Sequence, residues 1–320
     1  MNHALVLDRV AKHYAGHTAV DDLSLVVPRG LIYGILGPNG AGKSTTIRMV
    51  MNIIARDSGH VSLLGVDPER DRTVLRRVGY LPEERGLYKK MRVIDVIVFF
   101  ARLKGVPRAE ARRGADEWLE RMGLAEWRAS KVDTLSKGMQ QKVQFIATVL
   151  HSPELLILDE PFSGLDPVNQ EVLQDTVLEA RAEGRTVIFS THNMPQAEQL
   201  CDQVCIIAEG RKVLDGDIRR IRREAAGRTY RIEWEEPSPA TDRLMGDSRW
   251  FTRVERRGDG WEADLAPAAD PRDLLAAVNT VDVPLIGFVR VEPSLHDIFV
   301  ERVGRASVAH RRPEREVTHV

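Results

Sequence analysis

Two cysteines in 320 residues, Cys201 and Cys205, are too few for a disulfide framework and point to a reduced compartment. Their spacing is that of half a metal site. No further Cys/His cluster supplies the missing ligands, so they read as small buried apolar residues. Long apolar runs are missing too. A membrane helix needs roughly 20 such residues, and the longest candidate, Val93 to Ala101, is interrupted by Asp95. Met1 to Val10 has only a short apolar patch before Asp8 and Arg9, which leaves no secretory signal. Neither sign of charge dominates. The 46 Lys and Arg against 47 Asp and Glu leave a net charge of −1, which argues against nucleic acid as a partner. What is present, 43% hydrophobic and 29% charged residues, is the balance of a globular chain rather than a disordered one. Any role at a membrane is then performed from outside the bilayer.

Residues 1–217 alternate apolar strands with helical stretches, the pattern of an α/β domain. Leu31 to Leu36, Leu155 to Leu158 and Thr186 to Ser190 read as buried strands. Pro107 to Met122 reads as an amphipathic helix, with Ala111, Ala115, Trp118, Leu119 and Met122 on one face and Gly123 as its stop. It belongs to a mainly helical lobe over about 88–150. The basic run Arg219 to Arg223 changes the composition, and residues 218–227 read as a linker or solvated helix surface. Beyond it, Tyr230, Ile232 and Trp234 alternate with charges as in a half-exposed strand. Gly258-Asp259-Gly260 marks a hairpin turn, and Ser294 caps a last helix. Residues 228–305 therefore form a small α+β domain, with 306–320 as a tail rich in Arg and Glu.

Three constellations carry chemistry. Gly37-Pro38-Asn39-Gly40-Ala41-Gly42-Lys43-Ser44 fits G-x-x-x-x-G-K-[ST], following a strand and opening a helix. Its glycines let the backbone curl so that successive N–H groups face β- and γ-phosphates, and the helix N-terminus adds positive potential. Lys43 sets a point charge between those phosphates, and the Ser44 hydroxyl suits Mg²⁺. Asp159 and Glu160 end the apolar strand Leu155 to Leu158, at the edge where α/β sheets present their ligands. Asp159 is placed to hold Mg²⁺ through water, and Glu160 to orient and deprotonate an attacking water. Leu135-Ser136-Lys137-Gly138-Met139-Gln140-Gln141-Lys142 stands just upstream, with Ser136 as N-cap of a helix carrying Val143, Ile146, Ala147 and Leu150.

This order of motifs over residues 3 to about 217 resembles the ATP-binding cassette family, whose signature reads Leu-Ser-Gly-Gly-Gln. The resemblance implies a P-loop NTPase cassette that hydrolyses ATP with Mg²⁺. Residues Gly37 through Thr45 would hold the phosphates, Tyr14 would stack the adenine, and His192 would be the switch histidine. Ser136, Gly138 and Gln140 of the signature and Asp166 of the D-loop would meet the nucleotide of a second copy, in an ATP-sandwiched head-to-tail dimer. Two departures stand out. Glu83 takes the place of the Q-loop glutamine, as a possible Mg²⁺ ligand that cannot donate a hydrogen bond. Lys137 and Met139 replace a glycine and the glutamine of the signature. Within the family, the run Glu83 to Tyr88, the signature lysine and the extra C-terminal domain resemble the exporter branch. That branch implies a separately encoded membrane permease contacted near Glu83–Tyr88, and a peripheral location on the cytoplasmic face of the membrane. The rival reading is a soluble cassette ATPase of translation or DNA repair. It usually carries two cassettes, a coiled-coil insertion or zinc-binding cysteines, none of which is found here. A subunit that binds ATP with little turnover is disfavoured by Glu160 and His192.

Overall fold

The segments Ile32–Leu36, Leu155–Asp159 and Thr186–Thr191 are buried at every position. Strands covered on both faces belong inside a parallel sheet, and these three are adjacent in one. The computed structural model describes residues 3–84 and 86–310, and the chain forms two compact units, residues 3–218 with 302–310, and residues 219–301. Arg85, within the expected permease-facing run, and residues 311–320 of the expected tail lie outside the described residues.

The first unit opens with β1 (His3–Tyr14) and β2 (His17–Pro28), followed by β3 (Ile32–Leu36), α1 (Lys43–Val50), β4 (Ser58–Leu63) and β5 (Val78–Leu81). Next come α2 (Val93–Leu103), α3 (Arg108–Arg121) and α4 (Lys137–Val149). The unit continues with β6 (Leu155–Asp159), α5 (Pro167–Ala182), β7 (Thr186–Thr191), α6 (Met194–Leu200), β8 (Gln203–Ala208) and β9 (Arg211–Asp217). One antiparallel sheet has the order β2-β1-β4, and a six-stranded sheet has the order β5-β6-β7-β3-β8-β9, parallel except for β9. Leu5, Leu7, Leu23 and Leu25 of the antiparallel sheet share a core with Ile35, Ile47 and Leu63. Each such side chain taken from water stabilises the fold by about 1.5–3 kcal/mol.

Register decides where the chemistry lands. Leu36 pairs with Thr191, and Asp159 pairs with Ser190. Strands β3, β7 and β6 thus end level, and the loops that follow them emerge side by side at the carboxyl edge of the sheet.

In the helical lobe, α2 buries Val93, Ile94, Val96, Ile97 and Ala101, while α3 buries Ala111, Ala115 and Leu119. Trp118 is only half-buried, edge-on to Phe145 with Arg121 over its ring. The first unit is an α/β P-loop fold with a helical lobe.

The segment expected as a linker, 218–227, is mostly helix: α7 spans Ile218–Ala225. Ile218 and Ile221, one turn apart, are both buried while Arg219, Arg220 and Arg223 are exposed, so the run is an amphipathic helix. Then follow β10 (Thr229–Trp234), α8 (Pro239–Met245), β11 (Phe251–Arg257), β12 (Gly260–Leu265), α9 (Pro271–Asn279), β13 (Leu285–Arg290) and α10 (Leu295–His310). The antiparallel order β11-β12-β10-β13 packs Ile232, Trp234, Phe251 and Leu265 against Leu274 and Val278 of α9, an α+β arrangement. Helix α8 begins with a capping box, Ser238 with Thr241, which the sequence reading did not pick out. Helix α10 covers residues 306–310 of the expected tail.

Two half-buried basic groups, Lys104 at the end of α2 and His151 just after α4, influence each other. Lys104 Nζ donates to the carbonyls of Leu75 (2.6 Å) and Val78 (2.8 Å). Burial, and next the charge of Lys104, push His151 down to about 4. A depressed histidine stays neutral in the fold while the unfolded chain takes up a proton, so stability is lost as pH falls from about 6.5 toward 4. Between about pH 7 and pH 5, the thermal midpoint of the wild type is expected to fall further than that of His151→Leu. The difference should be roughly 2–4 °C for each kcal/mol of linkage. Parallel slopes for the two proteins in a melting series would show that His151 contributes nothing.

Candidate functional site

The loop after β3 has its shape dictated by backbone. A Cβ on Gly37, at φ 153°, would stand 2.1 Å from the Ile207 carbonyl oxygen, and one on Gly42, at φ 103°, would stand 2.3 Å from that of Ala19. Only glycine fits at either position. Gly42 is the N-cap of α1 and makes no side-chain capping bond, so the first N–H groups of the helix remain for an anion. Lys43 is 6% exposed, and its Nζ donates to the carbonyls of Gly37 (2.9 Å) and Pro38 (3.2 Å). A cavity of about 350 Å³ is lined by Tyr14, His17, Ala19, residues 39–45, Glu83 and Glu160. Tyr14 is half-exposed at this cavity, with Lys12 Nζ 5.5 Å from its ring centroid. The arrangement can bind a polyphosphate along α1 and a flat base against Tyr14.

Behind the loop, Asp159 is fully buried. Its Oδ1 accepts from Ser44 Oγ (3.2 Å) and from Ser190 Oγ, while its Oδ2 has no hydrogen-bond partner. An unpartnered carboxylate oxygen in the interior is costly, and one beside a serine hydroxyl is the donor set of a hard divalent cation. The residues therefore fit Mg²⁺. Glu160 takes a left-handed backbone, φ 48°, held by its N–H donating to the Ser190 carbonyl at 3.1 Å and its own carbonyl accepting from the Ser163 N–H at 3.2 Å. Strain of about 1–3 kcal/mol is typical of such a residue. In this pose Oε1 lies 3.0 Å from His192 Nδ1 and 3.7 Å from Lys43 Nζ. A second cavity, of about 380 Å³, is lined by Glu83, Glu84, Gln141, Glu160 and Ser163, so three carboxylates face one space.

Four expected residues do not join this group. Ser136 is exposed, and its Oγ accepts from the Met139 N–H (3.2 Å) as N-cap of α4. Gly138 lies nearest Leu165, and Gln140 Nε2 donates to the Leu135 carbonyl (3.0 Å). Asp166 caps α5, and the Asn169 N–H holds its carboxyl below the usual range. None of the four lines either cavity. Conversely, Ser190, Gln141 and Gln144 were missed. Ser190 is two residues before His192 on β7, and only the pairing of β6 with β7 reveals that it supports Asp159.

Residues 20–163 match the ABC transporter family, and residues 216–303 match the C-terminal domain of DrrA1-3-like ATP-binding proteins. YhaQ of Bacillus subtilis, an uncharacterized ABC transporter ATP-binding protein, is 40% identical over 94% of this chain and 98% of its own. The chain belongs to the ABC transporter family, as an ATP-binding subunit. The daunorubicin/doxorubicin resistance ATP-binding protein DrrA of Streptomyces peucetius is 32% identical over 94% of this chain and 92% of its own. A solved ATP binding subunit of an ABC transporter is 32% identical with a TM-score of 0.65, covering 69% of this chain and 92% of that one.

An ABC ATP-binding subunit is an ATPase coupled to transport, and this one shares that role. Among the described residues no helix is long and apolar enough to cross a membrane. The tight approaches of the ABC phosphate loop lead to a graded expectation. Gly42→Ala should abolish binding of a fluorescent ATP analogue, because the new Cβ meets a backbone carbonyl. Gly40→Ala, with nothing within 4 Å of the added atom, should cost only the left-handed penalty of about 1–2 kcal/mol. Equal losses in the two titrations would contradict the steric account.

Proposed function

We propose that this subunit powers export through a separate membrane permease as an ATP-sandwiched homodimer on the cytoplasmic face of the membrane. The observation that carries the dimer is the position of Ser136. It caps the exposed N-terminus of α4 and lies outside the cavity that holds Lys43 and Glu160 of its own chain. A helix N-terminus with an open serine suits phosphate, so Ser136 and Gly138, with Gln140 and Asp166 nearby, serve the site of a second copy. One set of motifs per chain makes two such composite sites by two-fold symmetry.

Within each site Lys43 and the loop from Gly37 to Thr45 bind the phosphates, and Tyr14 stacks the base. Ser44 and Asp159, with Glu83 facing the same cavity, hold Mg²⁺, which when bound neutralises phosphate charge. Glu160 accepts the proton of the attacking water, and His192, 3.0 Å from its Oε1, steadies it. ATP joins the two copies, and its hydrolysis releases them, so the permease is moved by the difference in binding between two states.

Export is supported by a relative named as a Nod factor export ATP-binding protein, from Ralstonia nicotianae, 31% identical over 94% of this chain and 94% of its own. Permease docking near Glu83–Tyr88 is supported by an aromatic cluster. Tyr88, 53% exposed, meets Phe99 edge-on at 5.4 Å and stacks on Phe100 at 6.1 Å, with Leu103 exposed one turn further along α2. An apolar patch of this kind marks a protein contact.

Glu160→Gln keeps the shape of the site and removes the base. It should retain ATP binding, lower kcat by about 100-fold or more, and accumulate a nucleotide-bound dimer visible by light scattering. Wild-type turnover in that variant would remove Glu160 from its role, and a monomer at saturating ATP would sink the dimer. Co-purification with ribosomes or DNA instead of membranes would overturn the transport assignment.

A further inference from the structure

Helix α4 carries a stripe that burial alone does not explain. Gln141, Gln144 and Thr148 fall at positions i, i+3 and i+7, and each is less than 7% exposed. Such a face ordinarily takes apolar residues. Here the two glutamine amides reach backbone carbonyls on the loops that carry Glu160 and Glu83. Gln141 Nε2 donates to the Pro161 carbonyl (3.3 Å), one residue beyond Glu160. Gln144 Nε2 donates to the carbonyls of Pro82 and Glu84, both at 3.3 Å, the two residues that flank Glu83. Thr148 Oγ1 donates to the Gln144 carbonyl one turn back on its own helix (2.9 Å), with the Tyr80 carbonyl of β5 at 3.4 Å.

Gln144 pays no simple role in packing. Its Oε1 is buried without a hydrogen-bond partner, a penalty that a methionine of similar length would avoid. What the amide supplies is direction: one NH₂ group spans the backbone on both sides of Glu83. We infer that Gln144 is a positioning residue for Glu83. It fixes where the Glu83 carboxylate stands in the nucleotide cavity, and Gln141 does the same for the turn behind Glu160. Because Ser136 caps the same helix, the two glutamines tie the signature end of α4 to both acidic loops of its own chain. In the dimer, the end of α4 that engages the nucleotide of one site is thereby fastened to the carboxylates of the other. This rests on the cavity being the nucleotide site and on the dimer proposed above.

A double-mutant cycle between Gln144→Met and Glu83→Gln tests it, with melting curves for all four proteins. Binding of metal-free ATP should be unchanged in Gln144→Met. The Mg²⁺ concentration for half-maximal tightening of ATP binding should rise, and kcat should fall by about 10- to 100-fold with little change in KM. These losses should not add to those of Glu83→Gln, since both remove the same placement of one carboxylate. Gln144→Glu, which turns an acceptor toward two carbonyls, should reproduce them and serves if the methionine variant does not fold. Additive losses, or a lowered melting temperature with unaltered Mg²⁺ dependence, would overturn the inference. The underlying reading is checked apart from it with Lys43→Ala. Wild-type ATP affinity in that variant would remove the nucleotide site itself, and a monomeric Glu160→Gln protein would remove only the link between sites.

Discussion

The hydrogen bonds that hold β6, β7 and β3 in parallel register set the level at which three loops leave the sheet. Asp159 opposite Ser190, and Leu36 opposite Thr191, place the ends of these strands in one row. From that row the glycine loop, Glu160 and His192 extend into a common space. A slip of one residue in β6 would turn Asp159 to the other face of the sheet, away from Ser44 and Ser190. Strands β6 and β7 are short and buried at every position, so that register is enforced by burial on both faces.

Charge is distributed unevenly around this space. Glu83, Glu84, Glu160 and Asp159 gather near one buried cation, Lys43, although the chain as a whole is almost neutral. A cavity so acidic repels a polyphosphate unless further positive potential is supplied. The open end of α1 supplies part; in the proposed dimer a divalent ion beside Asp159 would supply more, and the start of the second copy's α4 would complete it. Glu83, where the resemblance leads one to expect a glutamine, deepens the deficit, so under the proposed mechanism this subunit would lean more heavily on its cation and on its second copy.

Much of the site was legible because its parts are contiguous in the chain. Gly37 to Ser44 form one loop, and Asp159 with Glu160 close one strand, so type and spacing sufficed. Ser190 was not legible, since its contact with Asp159 crosses a strand pair 31 residues apart. Gln141 was read only as part of the signature run and Gln144 was not read at all, because a glutamine that meets backbone carbonyls leaves no mark in the residues it meets. In the fold, the arginines of α7 outweighed Ile218 and Ile221, and the run was read as a linker or a solvated helix surface without its buried face. The α/β pattern and the hairpin at Gly258 were carried by apolar periodicity and turn chemistry, which are local.

The close approaches at Gly37 and Gly42 reach beyond sterics. Carbonyls of Ile207 on β8 and Ala19 on β2 occupy the space that a side chain at Gly37 or Gly42 of the glycine loop would need. The loop is thus ordered by strands on either side of it, and its conformational entropy is surrendered when the domain folds. A nucleotide then meets a surface already curved to receive it, and little of its binding free energy goes into organising the protein. In the proposed dimer, that leaves more of it to hold two subunits together.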